Sequence, residues 1–163
     1  MPSLILMIGL PGSGKSFMAQ RFQQQYSESL LISTDAIRAQ LFGDEAIQGS
    51  WLRVWGRVEA QFQEAVKEIL QGNAPLAIYD ATHAARRQRK DAIALARETG
   101  FTHITGFWID TPLELCLERN FRRDRHVPEE IIQKMHRQLS DAPPSLADGL
   151  DFLVRYAPIT NLK

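Results

Sequence analysis

Eight consecutive residues, Gly9-Leu10-Pro11-Gly12-Ser13-Gly14-Lys15-Ser16, carry the most specific chemistry in this chain. They follow the pattern G-x-x-x-x-G-K-[ST], preceded by the apolar run Leu4–Leu10 and followed by a helical pattern, the context a phosphate loop requires. Glycines permit backbone torsions that turn successive N–H groups into one concave anion site. A helix starting near Lys15 adds the positive end of its dipole. Lys15 can reach β- and γ-phosphates, and the Ser16 hydroxyl can ligate Mg²⁺. The chemistry is the binding of ATP, or another nucleoside triphosphate, with Mg²⁺.

Two further residues suit an acceptor. Asp35 follows the apolar run Leu30–Ser33, and in a parallel sheet the C-terminal ends of the strands share one edge with the phosphate loop. If Asp35 opens a helix, Arg38 lies three residues on along the same face. The carboxylate can accept a hydroxyl proton, and the guanidinium can clamp a phosphate. A purely structural alternative makes Asp35 a helix cap and Arg38 a solvated residue. Asp80, at another strand end, can hold Mg²⁺ through water or orient Arg38, or else initiate a turn.

Two basic stretches stand out. Arg119, Arg122, Arg123, Arg125 and His126 crowd together before Pro128. Arginines on a mobile lid stabilise the charge of a transferring phosphoryl group and exclude water on closure. Arg86-Arg87-Gln88-Arg89-Lys90 opens a helix, where cations oppose the dipole. Either a phosphate-rich acceptor offsets that repulsion or the stretch is a solvated face. Asp110, before Thr111-Pro112, reads as the residue that starts a helix.

Taken in order, these segments resemble the polynucleotide 5′-kinase family, the kinase half of nucleic-acid end-healing enzymes. The loop matches, and Ser33-Thr34-Asp35-Ala36-Ile37-Arg38 falls where that family carries D-x-x-R. Tyr79-Asp80-Ala81-Thr82 is similar to its strand-end Asp-Thr segment. Ile109-Asp110-Thr111-Pro112, Arg119-Asn120-Phe121-Arg122-Arg123 and Val127-Pro128 follow its lid region in order and spacing. The resemblance implies that Asp35 is the general base, Arg38 an acceptor-phosphate ligand and Arg123 the lid arginine on the transferring group. Asp80 and Thr82 then belong to the acceptor side, and Arg119 to the nucleotide side. Phe17, where many such kinases have a threonine near the α-phosphate, is counted among the nucleotide-binding residues. The implied acceptor is the 5′-OH of a nucleic acid or nucleotide. A small-molecule kinase would keep the loop and Asp35 without using Arg86–Lys90, and a nucleotide-gated binding module would need no Asp35.

The elements that position these groups alternate. Short apolar runs at Leu4–Ile8, Leu30–Ser33, Pro75–Tyr79, His103–Ile109 and Phe152–Tyr156 read as parallel strands. Helical patterns over Lys15–Gln25, Asp35–Leu41, Ser50–Gln71, Ala84–Glu98, Pro112–Arg119 and Pro128–Leu139 lie between them. The expected fold is an α/β three-layer P-loop domain over residues 1–163, with a lid around 119–127. A five-stranded order of 2-3-1-4-5 is implied by the resemblance. On the longest helix, Trp51, Trp55, Val58, Phe62, Val66 and Ile69 form a stripe, in which both tryptophans read as core packing. The loop Gly43–Gly49 is a candidate to cover the acceptor.

Composition narrows the class. The chain has 163 residues, 44% of them hydrophobic, enough for one core. Its 19 basic and 19 acidic residues leave no global field to attract a polyanion or a membrane. The apolar start lacks a basic leader segment, no stretch is long enough to span a bilayer, and a cytoplasmic protein is expected. Guanine specificity is not expected, since no N-K-x-D sequence occurs, and no phosphatase motif follows the kinase-like region. A single cysteine, Cys116, and four scattered histidines make no metal cluster; Cys116, Met18 and Met135 read as core. No obligate protein partner is inferred.

Overall fold

The structure, a computed structural model, describes residues 1–45, 49–124 and 126–158. The strands are β1 (Ser3–Ile8), β2 (Leu30–Ser33), β3 (Ala77–Asp80), β4 (His103–Ile109) and β5 (Phe152–Tyr156). All pairings are parallel, and the order is β2-β3-β1-β4-β5. Parallel strands need crossovers, which are supplied by α1 (Lys15–Gln25), α2 (Thr34–Phe42), α3 (Trp51–Leu70), α4 (Arg86–Thr99), α5 (Leu113–Phe121) and α6 (Glu129–Asp141). No described helix is long and apolar enough to cross a membrane.

The two-residue period of a strand divides β1 between two layers. Leu4, Leu6 and Ile8 join the large core with Val54, Val58, Phe62, Ala92 and Ile132. Met7 faces the smaller cluster formed with Ala19, Ile78 and Ile109, against which Ile5, Met18 and Phe22 pack. Covered on both faces, the central strands are apolar throughout, which is why they are legible as continuous runs. At the β5 edge the smaller layer ends: Tyr156 stacks on Phe107, while Phe152, Val154 and Tyr156 stay exposed.

Three expectations are corrected. The α3 stripe holds for Val58, Phe62 and Val66, but Trp51 is 49% exposed and Trp55 and Ile69 only half-buried. Val54 and Ala65 carry the packing instead. Asp110 does not cap α5, whose N-cap is Pro112 without a side-chain bond; its carboxylate pairs with Arg155 of the neighbouring strand, Nε–Oδ2 2.9 Å. β3 starts two residues later than expected and ends one later, and so carries Asp80 as its last residue.

Candidate active site

The phosphate loop joins β1 to α1. Gly12 and Gly14 have φ of 83° and 99°, the left-handed region that an L side chain rarely adopts. A Cβ on Gly12 would also fall 2.6 Å from the Cys116 carbonyl oxygen. The loop is pinned from below: the Gly9 N–H donates to the Thr82 carbonyl at 3.1 Å, and the Thr111 hydroxyl to the Ser13 carbonyl at 2.7 Å. α1 begins with no side-chain cap and no acidic residue in its first turn. Its first N–H groups are therefore open to an anion.

Behind the loop, β3 delivers Asp80. Its Oδ2 accepts the Ser16 hydroxyl at 2.8 Å, and its Oδ1 lies 3.6 Å from Lys15 Nζ, buried and without a hydrogen-bond partner. Its side-chain partners are thus Ser16 and Lys15. A hydroxyl beside a carboxylate oxygen is a hard-oxygen set that fits Mg²⁺, which keeps waters and substrate phosphates as its other ligands. Among the described residues no group of three or more His, Cys, Asp or Glu gathers to hold a metal by itself.

His83 was not singled out by its sequence. It is buried, sits at φ 50° and lines the cavity. Its Nδ1 lies 2.6 Å from the Met7 carbonyl oxygen. A carbonyl only accepts, so Nδ1 carries the proton, and the buried Nε2 is left as a bare acceptor without a partner. Burial lowers the His83 pKa to about 4, keeping the ring neutral beside Lys15 and Asp80.

On the opposite wall, Ser33 caps α2, its Oγ accepting the Ala36 N–H at 3.2 Å. The cap role is thus taken, and Asp35 stands in the first turn, 58% exposed, with Arg38 Nη1 at 3.4 Å from Oδ1. Arg38 is much less exposed, at 18%, and its Nε is buried without a partner. Its charge also opposes the effect of burial on Tyr79, whose hydroxyl burial pushes up.

The segment read from sequence as a lid, around 119–127, comprises the end of α5 and the turn after it. Arg119 Nη1 donates to the Gly12 and Ser13 carbonyls at 3.2 and 3.3 Å, so it lies on the phosphate loop. Asn120, which the sequence did not mark, is buried and fastens the turn: its Nδ2 donates to the Val127 carbonyl at 2.7 Å, and its Oδ1 accepts the Val127 N–H at 3.0 Å. His126 Nδ1 meets the Asn120 carbonyl at 2.8 Å. Arg123 faces the cavity, whereas Arg122 is turned to a surface pair with Glu118. Arg125 and Ala46-Ile47-Gln48 of the candidate covering loop lie outside the described residues.

One cavity of about 1010 Å³ joins these walls. Leu10, Pro11, Gly12, Gly14, Lys15, Ser16, Phe17, Asp35, Arg38, Asp80, Thr82, Arg119 and Arg123 line it. Gly9 and Ser13, both buried, lie beneath it. That volume lies at the upper end of the usual range for ligand sites, roughly 300–1,000 Å³. Trp51 and Trp55, read from sequence as core, also line the cavity, as do Glu45, Asp91 and Glu98.

In the Arg86–Lys90 stretch, Arg86, Arg87, Gln88 and Lys90 are exposed, as a solvated face would be, and only Arg89 departs from that reading. Arg89 is fully buried, its Nε donating to Asp148 Oδ2 at 2.8 Å and its Nη1 to the His83 and Ala84 carbonyls. Arg86 lies 3.3 Å from the other oxygen of Asp148, and Arg87 lies 3.9 Å from Asp91. The internal Asp148 carboxylate offsets part of the helix-start repulsion.

Comparisons agree with this geometry. An L-seryl-tRNA(Sec) kinase of Methanococcus maripaludis is 28% identical over 149 residues, 86% of this chain and 53% of the relative. A chain of the Pnkp1/Rnl/Hen1 RNA repair complex superposes with a TM-score of 0.71 at 23% identity, covering 99% of this chain and 51% of that one. A sugar kinase from Janibacter sp. HTCC2649 superposes with a TM-score of 0.65 at 17% identity, covering 96% and 85%. The chain spans about half the length of the first two. The structural likenesses show the fold of P-loop kinases. Residues 4–142 match the AAA_33 family, described as an AAA domain, and with that match over most of its length the chain belongs to this family of P-loop domains.

Proposed function

We propose that this protein is an ATP- and Mg²⁺-dependent kinase, residues 1–163 forming one kinase domain, which moves the γ-phosphoryl group to the 5′-OH of a nucleotide or polynucleotide. The observation that carries this reading is that the Asp35–Arg38 pair and the Lys15–Ser16–Asp80 group line one cavity. The phosphate loop and the α1 N-terminus bind the triphosphate, with Lys15 on its β- and γ-groups. Ser16 and Asp80 hold Mg²⁺, which when bound neutralises phosphate charge. Asp35 orients the acceptor hydroxyl and takes its proton as the new O–P bond forms and the bond to ADP breaks. Arg123 stabilises charge on the equatorial oxygens, and Arg119 keeps the lid over the loop. Relatives described as acting on seryl-tRNA or belonging to an RNA repair complex support a nucleic-acid or nucleotide acceptor.

A small-molecule acceptor is the second reading. It is favoured by the burial of Arg89, which withdraws one cation of the Arg86–Lys90 stretch from any acceptor, and by Glu45, Asp91 and Glu98 on the cavity wall. The test offers ATP labelled at the γ-phosphate to 5′-OH oligonucleotides, nucleosides, nucleoside 3′-phosphates, sugars and small alcohols, with Lys15→Ala as control. Transfer to 5′-OH nucleic acid or nucleotide that Lys15→Ala abolishes supports the proposal. Efficient transfer to a phosphate-free metabolite, with none to 5′-OH acceptors, replaces it by the second reading. Undiminished turnover in Lys15→Ala would falsify both.

A further inference from the structure

Past Asp35 and Arg38 the cavity reaches the first turns of α3, where two indoles line it. Trp51 is 49% exposed and Trp55 half-buried, their ring centroids 5.7 Å apart and their planes at 33°. Packing accounts for only part of this. The core contacts of α3 are made by Val54, Val58, Phe62, Ala65 and Val66, with Trp55 touching that core from its margin. Trp51 keeps a large apolar face in a ligand-sized cavity, where a flat partner would remove it from water.

Two neighbours restrict what that partner is. Arg38, on the same cavity, is held to Asp35 only at 3.4 Å and has a buried Nε with no partner, so donors remain for one anionic group. Glu45, Asp91 and Glu98 also line the cavity, Asp91 lying 3.9 Å from Arg87, and carboxylates on the wall disfavour a run of phosphates. A flat, uncharged ring carrying one phosphate meets both conditions.

We infer that Trp51 and Trp55 form a stacking wall for the nucleobase of the acceptor nucleoside, the base lying on the indoles while Arg38 takes the adjacent phosphate. This rests on the nucleotide-acceptor reading above and adds the residues that select the acceptor. The wall favours the terminal nucleoside of an acceptor.

The test compares two 5′-OH dinucleotides, one with a base on its 5′ residue and one with a stable abasic residue there. Wild-type protein is expected to show a KM about tenfold or more lower for the base-bearing acceptor, as base–aromatic stacking does elsewhere. Trp51→Ala should raise that KM roughly tenfold while leaving the KM for ATP and for the abasic acceptor unchanged. Trp51→Phe should restore most of the difference. Trp55 also touches the core, so it is tested as Trp55→Phe, with a smaller loss expected. Equal effects of Trp51→Ala on both acceptors, or a wild type that does not distinguish them, overturn the stacking wall and leave the kinase reading standing. A wild type that phosphorylates neither dinucleotide but does phosphorylate a sugar or small alcohol overturns the nucleotide-acceptor reading and the wall together.

Discussion

The carboxylate and guanidinium of α2 divide their work by exposure. Asp35 is open to the cavity, and Asp35→Asn keeps its shape while losing the proton acceptor. A fall in kcat of at least about 10², with the KM for ATP nearly unchanged, is expected of a general base. Loss of ATP binding with normal residual chemistry would instead make Asp35 a nucleotide or metal ligand. Arg38→Ala removes a charged donor, so the KM for a nucleoside 3′-phosphate should rise roughly 10- to 150-fold, with little change for a nucleoside lacking that phosphate. His83 contributes a pH dependence of stability. Its folded pKa of about 4 lies below the ordinary 6.5, so between these values the unfolded chain binds the extra proton. Stability should therefore fall as pH drops from about 6.5 to about 4, by on the order of 3 kcal/mol. Urea titrations across that range should show a flatter profile for His83→Gln than for the wild type.

α1, α2 and β3 each supply a site residue at one end, and the ends of helices are where backbone groups lack partners. α1 leaves its first N–H groups open; α2 gives the cap to Ser33 and frees Asp35; β3 ends on Asp80. The lid is held differently, by one buried amide. Asn120 closes a loop with Val127 through two hydrogen bonds, and Asn120→Ala breaks both. The expected cost is about 1–3 kcal/mol, concentrated in the lid. A loosened lid admits water, so ADP release without acceptor phosphorylation should rise relative to transfer. The two rates measured side by side decide it: an unchanged ratio would show that Asn120 stabilises the fold without governing closure.

Across the whole molecule, α4 is tied to the turn before β5 by an internal ion pair. Arg89 and Asp148 are both buried, and Arg89 also donates to the carbonyls of His83, Ala84 and Ala142. That network holds the Thr82–His83 backbone, on which the Gly9 N–H rests. Removing one partner leaves an uncompensated buried charge, and Arg89→Ala should destabilise the protein by about 3–5 kcal/mol in equilibrium denaturation. A loss under about 1 kcal/mol would place the pair among solvated surface bridges. The edge pair Arg97–Asp151 is of that weaker kind, although the Ile104 N–H and Arg97 together lower the Asp151 pKa.

Much of the architecture is local, and so is legible along the chain. Glycine torsions and the following helix mark the phosphate loop, an i,i+3 spacing places Arg38 beside Asp35, and buried parallel strands show as apolar runs. The α1, β2, β4 and β5 boundaries agree with that reading residue for residue or within one. What local rules do not carry is which charge faces inward and which ring faces out. Arg89 finds Asp148 across 59 positions, and His83 finds the Met7 carbonyl across 76. A helical stripe likewise says which side of α3 is apolar, but not where the core beneath it ends, and so Trp51 and Trp55 read as core. Only the packed sheet, by setting the distance from each helix end to its nearest layer, turns Trp51 toward the cavity and Arg89 away from solvent.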